Sequence, residues 1–144
     1  MSIDPDQRRV RASVVCCARG RILTVRAIDP LSGTEFLFLP GGAIEAGETP
    51  AQAALRETLE ETGYAVRLRG EPILRDYDFE WAGRQHPCRT SFFAADLIDP
   101  SAVPVATLHD PILFGAVWVP MAGAEAAFSY HGVIAEAVAA LAVR

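Results

Sequence analysis

Residues 42–64 read GAIEAGETPAQAALRETLEETGY, and this stretch decides how the rest of the chain is read. Thr49 is placed to cap a helix, Pro50 fits its first turn, and Gln52 completes a capping box. Ala51, Leu55, Leu59 and Thr62 recur at helical spacing and mark one apolar face. Gly63 is a natural stop. Glu57, Glu60 and Glu61, three and four residues apart, share the opposite face. Five glutamates and one arginine between Glu45 and Glu61 give a local balance of −4, within a chain of 144 residues whose formal charge is −5. Three acids at this spacing repel by a few tenths of a kcal/mol per pair, roughly, unless a cation or solvent offsets them. Oxygen ligands alone suit magnesium, with manganese an alternative, whereas no compact Cys/His set suggests structural zinc. The plain alternative is a solvated helix face.

Outward from the helix, residues 40–42 (Pro-Gly-Gly) end a strand at residues 35–39, and the glycines let backbone approach a ligand closely. Upstream, VVCC and ILTV read as a hairpin turning at Arg19-Gly20-Arg21, after a polar start. Downstream, AVRLRG and EPILRDYDFEW read as two strands separated by Gly70-Glu71-Pro72. A polar turn over residues 82–87 leads to the strand RTSFFAADL, and residues 98–111 read as loop. ILFGAVWV is a further strand, and Ile134, Val138 and Leu141 mark a terminal helix. The expected architecture is one α/β domain over residues 1–144, with a mixed sheet covered by helices.

Composition narrows the function classes. Eighteen acids oppose thirteen bases, which argues against a general nucleic-acid binder. Every base is arginine, so no lysine amine is present as a nucleophile. Three cysteines, two of them adjacent, make no disulfide framework. With no secretory start and no run of apolar residues long enough to span a bilayer, a cytoplasmic chain without a membrane partner is expected, as monomer or homodimer.

The spacing of residues 42–64 strongly resembles the Nudix hydrolase signature, G-x5-E-x7-R-E-U-x-E-E-x-G-U, with U usually a bulky aliphatic residue. Gly42, Glu48, Arg56, Glu57, Glu60, Glu61 and Gly63 match; Thr58 and Tyr64 replace aliphatic residues. The resemblance implies a Nudix-like α/β/α sandwich with a mixed β-sheet. It also implies magnesium-dependent hydrolysis of a pyrophosphate bond in a nucleoside diphosphate linked to another group, such as a (d)NTP or nucleotide sugar. Glu57, Glu60 and Glu61 would bind the metal with the Gly41 carbonyl, and Glu48 and Arg56 would orient the helix. A noncatalytic nucleotide-binding module is the competing class.

Other residues carry weaker signals. Asp96, Asp99 and Asp110 are candidates for an additional acid, and His109 for substrate contact or proton transfer. His86 and Cys88 are too few to make a metal site. Tyr77, Phe79 and Trp81 alternate along a strand and face together, either into the core or, for Trp81, against a base. Arg84 and Arg89 flank the adjacent turn and are candidates for phosphate contacts. Phe79 stands where ADP-ribose pyrophosphatases often carry proline, and the upstream pattern of coenzyme A pyrophosphatases is reproduced only in the fragment LTVR, so the leaving group stays open.

Overall fold

The computed structural model describes residues 7–99, 101 and 113–142. Among them are seven strands: β1 (Arg9–Ala18), β2 (Arg21–Ile28), β3 (Glu35–Phe38), β4 (Gly41–Ala43), β5 (Val66–Trp81), β6 (Arg84–Leu97) and β7 (Leu113–Pro120). Helix α1 (Pro50–Thr62) lies between β4 and β5, and a 3-10 turn, the short α2 (Ala124–Ala127) and α3 (Gly132–Leu141) follow β7. The strand order is β3-β2-β1-β6-β5, with β4 added to β1 and β7 to β2. β1 runs parallel to β6 and antiparallel to β2 and β4, so the sheet is mixed, as expected.

The alternation of β1 divides the interior into two layers. Ala12, Val14 and Cys16 join Leu23, Ala53, Ala54, Phe93 and Ala95 under α1. Val15 joins Ile22, Phe92, Phe128, Ile134 and Val138 under α3. Helices therefore cover both faces, and the terminal helix packs through the residues that its periodicity named.

Three local expectations are corrected. The two strands proposed around Gly70-Glu71-Pro72 are one strand, β5, which absorbs those residues as a register shift between Arg69 and Ile73 against β6. The polar turn at residues 82–87 shrinks to Ala82 and Gly83, because residues 84–87 continue the ladder with β5. On α1 the buried residues are Ala53, Ala54 and Thr58, while Leu55 and Leu59 are 40% and 53% exposed. The face carrying Glu57 and Glu61 turns toward the sheet instead. Small side chains beside those glutamates let the helix sit close, and Thr58 satisfies its buried hydroxyl by donating to the Ala54 carbonyl at 2.7 Å.

Candidate active site

Helix α1 begins and ends as its sequence dictates. The Thr49 hydroxyl accepts from the Gln52 amide at 3.1 Å, and the Gln52 side chain accepts from the Thr49 amide at 2.9 Å. Gly63, with φ of 76°, donates its amide to the Leu59 carbonyl and stops the helix. These caps set where the helix begins and ends, and the buried Ala53, Ala54 and Thr58 turn the face carrying Glu57 and Glu61 toward β4.

Close approach requires a glycine at Gly41 and favours one at Gly42. A Cβ on Gly41 would collide with the Ala12 carbonyl, and one on Gly42 would lie 2.5 Å from the Glu57 carboxyl carbon. Glu61 accepts from the Gly41 amide at 3.1 Å, and the Glu57 carboxyl is its close neighbour. Burial pushes the Glu61 carboxyl up to about 8, against the pull of the Gly41 amide, and the neighbouring Glu57 charge adds to the rise. Two neighbouring carboxyls, one of them held largely away from water, are eased by a proton or a cation.

Arg56 supports this pair from outside. Its Nε and Nη2 donate to Glu48 at 2.7 and 2.9 Å, a bidentate bridge, and Nη2 also reaches the Ala43 carbonyl at 3.1 Å. Its Nη1 donates to Glu57 at 2.9 Å and to Glu60 at 3.3 Å. The Arg56 hydrogen bonds, helped by the Glu45 amide, hold the Glu48 carboxyl down at about 2. Glu60 itself faces solvent. Among the described residues no three His, Cys, Asp or Glu side chains already surround a common metal position. The donor set nonetheless fits a hard divalent cation: Glu57 and Glu61 offer adjacent carboxylate oxygens, with Arg56 bonded to Glu57 and the charge of Arg11 felt at Glu61.

Glu61 and Gly41 open into a cavity of about 310 Å³. β1 contributes Arg9, Arg11 and Ser13 to it, and β6 contributes His86 and Cys88. The remaining wall is mostly aromatic, with Leu39 and Ile134. Phe38 meets Trp81 edge-on at 5.4 Å and Phe79 at 5.6 Å, and Tyr130 lies 5.8 Å from Phe38. The Tyr130 hydroxyl is spent on the Leu37 carbonyl at 2.9 Å and that of Tyr77 on Thr90 at 2.7 Å.

Of the substrate residues expected from sequence, the structure brings Trp81 to the cavity, and neither Arg84 nor Arg89 lines it. Cys88 faces the cavity, so Arg89, the next residue on the strand, projects the other way. There it forms a bidentate pair with Asp76 at 2.8 and 2.9 Å. Arg84 is exposed at the β5–β6 turn. Asp96 faces Arg69 at 3.6 Å and Asp99 caps a turn at Ser101, both away from Glu61's cavity. His109 and Asp110 lie outside the described residues. The sequence reading missed Arg9 and Arg11, which sit in what reads as a polar lead-in; only their spacing of two, with Ser13 next, hinted at one strand face.

A family profile described as the NUDIX domain matches residues 7–140. The chain is 49% identical over 43 residues, 30% of its length, to an ADP-sugar pyrophosphatase of Mus musculus, covering 20% of that protein. It is 34% identical over 73 residues, 51% of its length, to an 8-oxo-dGTP diphosphatase of Haemophilus influenzae, covering 52% of it. The matched segments thus span about a fifth and about half of these curated relatives. Among solved structures, it resembles a NUDIX hydrolase from Nitrosomonas europaea with a TM-score of 0.68 at 22% identity, covering 92% of this chain and 87% of that one. It also resembles the C. elegans Ap4A hydrolase, with a TM-score of 0.62 at 19% identity, covering 95% of this chain and 100% of that one. These two likenesses concern the fold.

Proposed function

The chain belongs to the NUDIX family, and from that premise we propose that it is a pyrophosphohydrolase acting on a nucleotide-containing pyrophosphate. The observation that carries the reading is the crowding of the Glu57 and Glu61 carboxyls against Gly42 and the Gly41 amide, beside an arginine- and ring-lined cavity. Residues 1–144 are read as one hydrolase domain. The relatives matched over part of their length act, by name, on an ADP-sugar and on 8-oxo-dGTP, which favours a nucleoside phosphate or nucleotide sugar.

Glu57 and Glu61, with Glu60 one turn outward and the Gly41 carbonyl, would hold the divalent ion, for which magnesium is proposed and manganese can substitute. When bound, such an ion offsets phosphate charge and makes a coordinated water a better nucleophile. The protein's own part is positional. Arg56, anchored by Glu48, holds the Glu57 carboxylate in place and so orients the ligand set. Gly41 and Gly42 leave room for those carboxylates, and the rings exclude water from the nucleotide's apolar part. No helix among the described residues is long and apolar enough to cross a membrane; a cytoplasmic setting is part of the proposal.

The test is a panel of NTPs, dNTPs, ADP-ribose, nucleotide sugars and dinucleoside polyphosphates, with magnesium present or chelated and both products identified by chromatography. Magnesium-dependent cleavage at a pyrophosphate bond is expected. Tight nucleotide binding with no cleavage anywhere in the panel would overturn the enzyme reading in favour of a binding module.

A further inference from the structure

Arg9 and Arg11 differ from the other arginines near the site. Arg56 is committed to Glu48, and Arg8 and Arg89 both face Asp76. Among the described residues, Arg9 and Arg11 have no carboxylate within ion-pair distance and no side-chain hydrogen bond. Both nevertheless line the cavity, Arg9 exposed and Arg11 half-buried, with the charge of Arg11 felt at the Glu61 carboxyl. The half-buried Arg11 guanidinium, with no carboxylate at ion-pair distance, loses hydration with little compensation, and the exposed Arg9 beside it adds a second positive charge, which together favour an anionic ligand.

Their register fixes where that anion would lie. Ser13 pairs with Gly41 across β1 and β4, so the Ser13 end of the strand adjoins the Glu61 carboxyl. Arg11 is two residues further along β1, opposite Thr90, and Arg9 two beyond that, opposite Cys88. Alternation puts both on the cavity side, with stems separated by about 7 Å. Two guanidinium groups on one strand face can each pair with one phosphate of a linked pair. Next come Tyr77, which pairs with Cys88, and Phe79, which pairs with His86, leading to Trp81. Arg11's positive charge is felt at both the Tyr77 hydroxyl and the Cys88 thiol, in keeping with a side chain directed into this space.

We propose that Arg9 and Arg11 grip the diphosphate of a mononucleotide whose flat base lies against Trp81, Phe38 and Tyr130, with the reacting end toward Glu61. The proposal rests on the nucleotide reading above and adds the ligand's polarity and a phosphate site on β1. The ring wall would supply stacking, and the arginines charge-assisted hydrogen bonds, so the two contributions separate by ligand.

The experiment uses the full chain with Trp118→Phe, leaving Trp81 as its fluorescent reporter, in a chelating buffer where no turnover occurs. Adenosine, AMP, ADP and ATP are titrated against this protein and against its Arg9→Ala, Arg11→Ala and double variants, with thermal unfolding measured beside each. The expected result is quenching of Trp81, with affinity rising from AMP to ADP. The double variant should lose that rise, weakening ADP roughly 10- to 100-fold while leaving adenosine unchanged. ADP binding as tight in the folded double variant as in the parent, or equal losses for adenosine and ADP, would overturn the proposal, as would phosphate-dependent binding with no response from Trp81. A parent protein that shows this ladder yet cleaves nothing with magnesium would sink the hydrolase reading alone.

Discussion

The two ends of the cavity are built differently. At the carboxylate end, Gly41, Glu48, Arg56, Glu57 and Glu61 come from one short stretch, and charge holds them: a bidentate Arg56–Glu48 bridge and a carboxyl pair against an amide. At the ring end, Phe38, Phe79, Trp81 and Tyr130 come from three distant places, and packing holds them. Asp29 joins two of those places. Its carboxylate accepts from the Leu31 and Ser32 amides at 2.8 and 3.2 Å, and from Ala82, the residue after Trp81, at 3.0 Å. Burial opposes its ionised form, but the amides of Leu31, Ala82 and Ser32 outweigh it and keep the carboxyl below its ordinary range. One end is thus arranged to change charge state, the other to keep a shape.

If that division is right, the largest effect lies at the carboxylate end. Glu61→Gln or Glu57→Gln keeps volume and removes a charged ligand. Turnover should fall about 100-fold or more, with thermal stability retained. Steady-state rates at limiting and saturating magnesium check this, and near-native kinetics in both variants would remove the carboxylate end from the chemistry. At the ring end, Asp29→Ala releases the β2–β3 and β5–β6 turns together. KM should rise more than kcat falls, and selectivity among bases should relax, while Asp29→Asn, which keeps one acceptor, should recover part of both. A substrate panel reads this out; a pure kcat loss would mean that Asp29 serves the chemistry and not the ring wall.

The carboxylate end also ties stability to pH. Glu61 is held near 8 in the folded chain, above the ordinary carboxylate value of 4.5. An acid with a raised folded value keeps its proton while the unfolded chain loses it. Its stabilising contribution is therefore complete below about pH 4.5 and is lost as pH climbs through about 8. Metal-free protein should melt at progressively lower temperature between these limits, and magnesium should restore more stability at pH 8 than at pH 5, because it replaces the proton. Scanning calorimetry in chelator and in magnesium checks it, with Glu61→Gln expected to flatten the slope.

The same contrast explains what the sequence could disclose. The capping box, the Gly63 stop and the glutamate spacing are local, so α1 and its acids were legible residue by residue. The direction α1 faces was not, because Leu55 and Leu59 outweigh Ala53 and Ala54 in any apolar pattern, although small residues beside glutamates pack against β4. Arg9 and Arg11 acquire meaning only when β1 lies parallel to β6, some eighty residues away, a pairing that no local spacing encodes. Trp81 was visible as part of an alternating strand, yet Phe38 and Tyr130, which complete its wall, were not, since only the folded chain brings them together.

The smallest effect should come from the arginines that flank the β5–β6 turn. By proximity to Trp81 in sequence, Arg84 and Arg89 are natural phosphate contacts. Strand alternation separates Arg89 from the cavity that Cys88 lines, and Asp76 already holds its guanidinium through two hydrogen bonds. An exposed pair of this kind contributes little to stability. Arg84 extends from the exposed start of β6, beyond the aromatic rings. Arg89→Ala and Arg84→Ala should therefore leave kcat/KM within about twofold of native, the range of ordinary surface substitutions, whereas Arg11→Ala should not. Measured side by side on one substrate, the three variants locate the phosphate grip. A large loss in Arg89→Ala with unfolding unchanged would move it from β1 to the hairpin, and the ring end would then bind charge as well as shape.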